Sequence, residues 1–135
     1  MTSEEIRAYY QQQVGNVPPS IDCAIEHMPQ AIAGYMQLRQ FITDEADGEG
    51  LPAKYVGLIF AVLDTGTVNY DGALNHARAA LNAGLKWREL IQGLVQVWVV
   101  HGFASTWGTV GFRVVETLQK EGFGPQKSAQ GKAAV

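Results

Sequence analysis

The chain has 135 residues, 47% hydrophobic and 17% charged, with ten basic and thirteen acidic side chains and a formal net charge of −3. That is enough apolar material for one packed domain, and a mildly acidic chain without a basic cluster lacks the electrostatic footprint of a nucleic-acid-binding protein. The lone cysteine, Cys23, permits no intrachain disulfide, and the usual Cys/His zinc spacings cannot be assembled.

The N-terminal stretch MTSEEIRAYYQQQ is acidic and polar, which is wrong for a signal or transit peptide, and apolar runs such as Val56 to Leu63 are far shorter than a membrane span. A cytoplasmic protein without a membrane partner is the expectation. Thr2 to Gln13 reads as a first helix, with Thr2 and Glu5 at capping-box spacing and an apolar edge of Ile6, Tyr9 and Tyr10. Gly15 and the pair Pro18-Pro19 end it. Ser20 to Met28 reads as a short helix capped by Ser20 or Asp22. Gln30 to Thr43 places Ile32, Tyr35, Met36, Leu38, Phe41 and Ile42 at helical spacing. The acidic run Asp44 to Glu49 comes next; it lacks the ligand pattern of a calcium hand and reads as a solvated loop.

Leu51 to Leu63 reads as a helix starting near Pro52, apolar on nearly every side. Asp64 comes directly after it and has two readings. It either caps a turn in DTGTVN or, about two helical turns after Gly57, brings a carboxylate to the same face from another level.

Next comes NYDGALNHARAALNAG, Asn69 to Gly84, rich in Ala and Leu, with Asn69 able to cap its start and Gly84 able to close its end. Asn69, Gly72, His76 and Ala80 share one narrow face of this helix, at spacings of three, four and four. An imidazole there is either a satisfied core residue or a proton-transfer group, the side chain suited to that work near neutral pH. Arg78 projects about 200° from His76 around the axis, which assigns it to the surface or to a subunit contact rather than to the same pocket.

Leu85 to Trp87 is a short connection, and Lys86 to Val100 is a helix whose apolar residues, from Leu90 to Val100, cover most of its circumference. So small a domain has few places to hide such a helix, so a homo-oligomer is expected. His101 stands at its end, before Gly102, which breaks or bends it. Phe103 to Leu118 reads as a further helix, and Gly122 to Gly124 terminates the fold. The expected organisation is an all-α bundle of about six helices in a single domain, residues 1–122, with a flexible tail at 123–135. Phosphate loops, nucleophile elbows and HExxH motifs are absent from the sequence, so no metal or organic cofactor is expected.

The run LNHARAALNAGLKWRELIQGLVQVWVVHG resembles the core of the carboxymuconolactone decarboxylase family, within the alkylhydroperoxidase-D-like group. The features that carry the resemblance are His76, Ala79, Ala80, Leu81 and Gly84, then the apolar run Leu90 to Gly102. The peroxidase branch of that group carries Cys-x-x-Cys-x-x-x-His on this helix, and here Asn69 and Gly72 stand where its cysteines would be. Thiol redox chemistry is therefore excluded at this site. The group commonly has an Arg-Glu-Leu triplet on the preceding helix, where this chain has Val56, Gly57 and Leu58.

The resemblance implies an oligomeric helical bundle, a trimer or a hexamer, and a cofactor-free decarboxylase acting on a small lactone or carboxylate. It implies His76 as general acid, with His101 as a second catalytic candidate, and Asn69, Gly72, Asp64 and Gln96 as substrate-binding candidates. Asn69 or His101 would supply a hydrogen bond to the lactone. The missing Glu leaves three alternatives: a different substrate, a related proton-transfer step on another small carboxylate or lactone, or a non-catalytic oligomeric protein of the same fold that binds a small molecule without turnover.

Overall fold

Local chemistry starts and stops the first helix as the sequence leads one to expect. In α1 (Ser3–Val14), the Glu5 N–H donates to Thr2 Oγ1 at 3.2 Å and the Thr2 N–H donates to Glu5 Oε2 at 2.8 Å, a complete capping box. Gly15, at φ 81°, takes the left-handed conformation that ends the helix and returns its N–H to the Gln11 carbonyl. The computed structural model describes residues 1–43 and 48–126 of the chain. Residues 44–47 of the acidic run and 127–135 of the tail lie outside the described residues, and every regular element among those described is helical.

α2 (Pro19–His27) and α3 (Pro29–Thr43) each begin on a proline. The fixed φ of proline suits a first helical turn and its missing N–H would have no helical partner there, so neither Ser20 nor Asp22 is needed as a cap. The three helices bury one cluster, Ile6, Tyr10, Ile25, Ile32 and Met36. On α3 only Ile32 and Met36 of the six apolar positions expected are buried, because they form the single i, i+4 stripe that α1 and α2 cover; Tyr35, Leu38, Phe41 and Ile42 are exposed.

The described residues fall into two compact units, Met1–Val56 and a second starting at Gly57, with the boundary inside α4 (Ala53–Gly66). The second unit continues with α5 (Tyr70–Asn82), α6 (Trp87–His101), α7 (Phe103–Thr106) and α8 (Phe112–Lys120). α5 buries only Ala73, Ala77 and Ala80, all fully covered, so its neighbours approach its backbone closely. α6 buries Leu90, Gly93, Leu94 and Val97 on one side. Its C-terminal end carries exposed apolar side chains: Val99 is 85% and Val100 75% exposed. No helix among the described residues is long and apolar enough to cross a membrane.

Gly102, at φ 96° and ψ 148°, makes the corner after α6 in a conformation open to glycine. Trp98 stands edge-on to Phe103 and Trp107 there, with ring centroids at 4.8 and 5.1 Å. The single helix expected from Phe103 is interrupted by a π-helical turn, Trp107–Gly111, with the Phe112 N–H bonded to the Trp107 carbonyl. The Trp107 ring lies where a side chain at Gly111 would begin, 2.7 Å from a Cβ there, so this glycine accommodates the widened turn. Beyond α8, Gly124 lies against the Trp87 ring and the Gln119 amide donates to the Pro125 carbonyl at 3.0 Å.

Arg78 is turned away from His76 as its position requires, and it serves within the chain. Its guanidinium holds the Glu121 carboxylate in bidentate fashion, at 2.6 and 2.7 Å, and donates to Asn75 Oδ1 at 3.1 Å, tying α5 to the end of α8. Hydrogen bonding by Arg78 holds Glu121 below the ordinary carboxylate range. A depressed folded-state pKa contributes stability above the unfolded carboxylate range, and that contribution is lost as pH falls through the folded value. Glu121→Gln should therefore cost up to about 1 kcal/mol at neutral pH, a modest figure for a partly solvated pair, and the difference should disappear under acid. Thermal unfolding of both proteins from pH 7 to pH 3 checks this; a gap that widens with acid would contradict it.

Candidate functional site

A short turn reverses α5 onto α4. After α4 ends at Gly66, Val68 adopts φ 60°, and the Asn69 N–H donates back to the Asp64 carbonyl at 2.8 Å. Positive φ is costly for a β-branched residue, so the turn is held by its backbone hydrogen bonds and by the helix cap at Asn69. Asn69 Oδ1 accepts from the Gly72 N–H at 3.1 Å and so caps α5, as its position ahead of an Ala-rich segment leads one to expect.

This turn sets the α5 face carrying Gly72, His76 and Ala80 against the α4 face carrying Gly57, Phe60 and Asp64. His76 Nδ1 lies 2.8 Å from Asp64 Oδ2, and the Phe60 ring stacks on the imidazole with centroids 4.6 Å apart and planes 22° apart. The two polar side chains are neither sealed nor bare, at 26% and 21% exposure. His76 Nε2 makes no hydrogen bond among the described residues. Of the two readings of Asp64, the structure selects the one that faces His76.

Asn69, expected as a donor to the lactone, has a partner within the chain: its amide reaches Asp64 Oδ1, at 3.5 Å. Gly72 also differs from expectation. The room left by its missing side chain is filled by the carboxylate, with Asp64 Oδ2 2.6 Å from where a Cβ would stand, so it is not open space for a ligand.

His101 and Gln96 lie elsewhere on α6. His101 is exposed, with its ring packed beside Gly66, 3.1 Å from a Cβ position there. Gln96 is exposed and its amide turns back to the Gln92 carbonyl at 3.5 Å. No hydrogen bond joins either to the Asp64–His76 pair among the described residues. Phe60 is not singled out by the sequence, although its spacing of three from Gly57 and four from Asp64 puts it on the same helical face. No group of three or more metal-ligating side chains occurs among the described residues. A surface hollow of about 600 Å³ lined by Glu116, Gln119, Lys120 and Gln126 belongs to a different element, α8 and the segment after it.

Gly57 closes the other end of this helix pair. A Cβ there would stand 2.8 Å from the Ala80 Cβ and 3.0 Å from the His76 carbonyl oxygen, so the backbones are already in contact. A carboxylate cannot enter from this position, and Asp64 supplies one from two turns along.

No protein-family model matches the chain, and no curated protein matches it. Among solved structures it is similar to a candidate carboxymuconolactone decarboxylase from Burkholderia xenovorans LB400, with 36% identity and a TM-score of 0.76 over 89% of this chain and 96% of that one.

A carboxylate at position 57, where the resembled group commonly carries a Glu, should harm this protein. Gly57→Glu is expected to lower stability by about 1–3 kcal/mol or more through overpacking against Ala80 and the His76 backbone. Chemical denaturation against the unsubstituted protein measures it, and a variant of equal stability would show that the two helices are not in contact here.

Proposed function

Because the chain belongs to the carboxymuconolactone decarboxylase family, we propose that it is a cofactor-free carboxy-lyase for a small lactone or carboxylate, with His76 as general acid. The observation that carries this reading is the 2.8 Å contact between His76 Nδ1 and Asp64 Oδ2, with Nε2 left for another partner. In such a reaction the bond from carbon to the substrate carboxylate breaks, carbon dioxide departs, and the electron pair spreads onto the lactone carbonyl. A proton must then reach carbon. Imidazolium Nε2 donates it, Nδ1–H stays on Asp64 throughout, and the neutral imidazole regains its proton from solvent. Phe60 holds the ring plane while this happens.

His76→Gln should keep the fold and much of the ligand affinity while turnover falls by roughly 10² to 10⁴, the usual worth of one positioned general acid. Carbon dioxide release from a panel of lactone acids, measured beside the melting temperature on the same preparation, tests this. A folded, fully active Gln variant would remove His76 from the mechanism. Binding of a lactone acid without carbon dioxide release by the unsubstituted protein would favour the non-catalytic alternative.

The working form proposed is a homo-oligomer, a trimer or a hexamer. Supporting it are the exposed apolar side chains at the end of α6 and the start of α7: Val99, Val100 and Phe103. Light scattering at micromolar concentration should give a multiple of the 14.7 kDa chain; a stable monomer would overturn the reading.

A further inference from the structure

The two positions that would hold thiols in the redox branch, the α5 cap Asn69 and Gly72 in its first turn, are not blank here. We propose that Gly72 and Asn69 are positioning residues: together they form a seat that holds Asp64 against His76 and thereby fix which imidazole nitrogen is offered to a substrate. The contacts run from one residue to the next. The Gly72 N–H fixes the Asn69 side chain at 3.1 Å, and the Asn69 amide faces Asp64 Oδ1 at 3.5 Å. The space that any side chain at position 72 would take is occupied by the carboxylate, 2.6 Å from Oδ2 and 2.9 Å from Cγ to a Cβ there. Asp64 Oδ2 then meets His76 Nδ1 at 2.8 Å.

A carboxylate accepts and does not donate, so its contact at Nδ1 requires the proton of the neutral ring to sit on Nδ1, leaving the lone pair on Nε2. Without the seat, Asp64 is free to swing toward solvent, and nothing else among the described residues selects the tautomer. Any side chain at position 72 therefore competes with Asp64 for one place. The consequence for turnover rests on the proposed role of His76 in proton transfer, whereas the tautomer itself does not.

The test reads the tautomer directly, by long-range ¹H–¹⁵N NMR of ¹⁵N-labelled protein at a pH where His76 is neutral. The unsubstituted protein should show a protonated Nδ1 and a bare Nε2. Gly72→Ala should convert this to a mixture of tautomers while circular dichroism shows the helices intact, and Asp64→Ala should do the same. A Cβ at position 72 would also stand 2.7 Å from the Asn69 amide nitrogen, but both contacts reach the imidazole through Asp64, so combining the two variants should leave the tautomer mixture as in Asp64→Ala alone. Asn69→Asp keeps a good helix cap while facing Asp64 with like charge, and it should unseat the carboxylate even where Gly72→Ala fails to fold.

If a lactone acid is decarboxylated, Gly72→Ala should lower kcat by about tenfold or more with little change in KM, the scale of losing a partner that orients a working histidine. A folded Gly72→Ala or Asn69→Asp protein that keeps the protonated Nδ1 overturns the seat, as does a double variant altered beyond Asp64→Ala. The tautomer shift with no lactone acid turned over upholds the seat and removes the decarboxylase reading instead.

Discussion

The site depends on how closely α4 and α5 approach. Gly57 has no side chain and Ala80 only a methyl, and a single added carbon at Gly57 would collide with Ala80 and with the His76 backbone. At the other end, Gly72 gives up its side-chain volume to Asp64. Between these two glycines the face of α5 passes near enough to α4 for an imidazole to meet both an aromatic ring and a carboxylate of the facing helix. Larger residues at either glycine would hold the helices or the carboxylate away, and packing and chemistry are thus one constraint.

The turn between these helices adds a second. Val68 sits at φ 60°, where a β-branched residue costs of order 1–3 kcal/mol, and two backbone hydrogen bonds, from Val68 to Thr65 and from Asn69 to Asp64, enclose it. The strained residue lies between the carboxylate and the helix cap that faces it. Relaxing it would move Asp64 and Asn69 relative to each other, which links the local backbone to the orientation of His76. The carboxylate also sits beside the first turn of α5, where unpaired N–H groups and the helix dipole favour negative charge.

The remainder of the second unit secures α5 from its other side. Arg78, nearly opposite His76 on the helix, grips Glu121 with both nitrogens of its fork, while Tyr70 bonds Thr117 through its hydroxyl at 2.8 Å and carries Arg113 over its ring. One helix is thereby fixed by ionic and aromatic contacts on one face and presents His76 on the other. The apolar side chains at the α6–α7 corner take no part in either task, and their exposure within a single chain is what supports an oligomer.

Much of this was legible in the sequence because it is local. The Thr2–Glu5 box, the Asn69 cap, the glycine stops at Gly15 and Gly102 and the shared face of Asn69, Gly72, His76 and Ala80 depend on residues within a turn or two of one another, and helical periodicity reports such relations directly. The run from His76 to Gly102 carried the family as well. What the sequence left open were relations between elements. Whether Asp64 capped a turn or faced the histidine depended on the path through Val68, whose left-handed conformation no valine advertises. Phe60 became part of the site only when α5 folded back over α4, and the Asn69 amide, expected to face a ligand, faces the Asp64 carboxylate. The π turn at Trp107–Gly111 arose from ring packing against a glycine. Periodicity places a side chain on a face of its own helix; which residue it meets is decided by the distance and register at which a second helix packs.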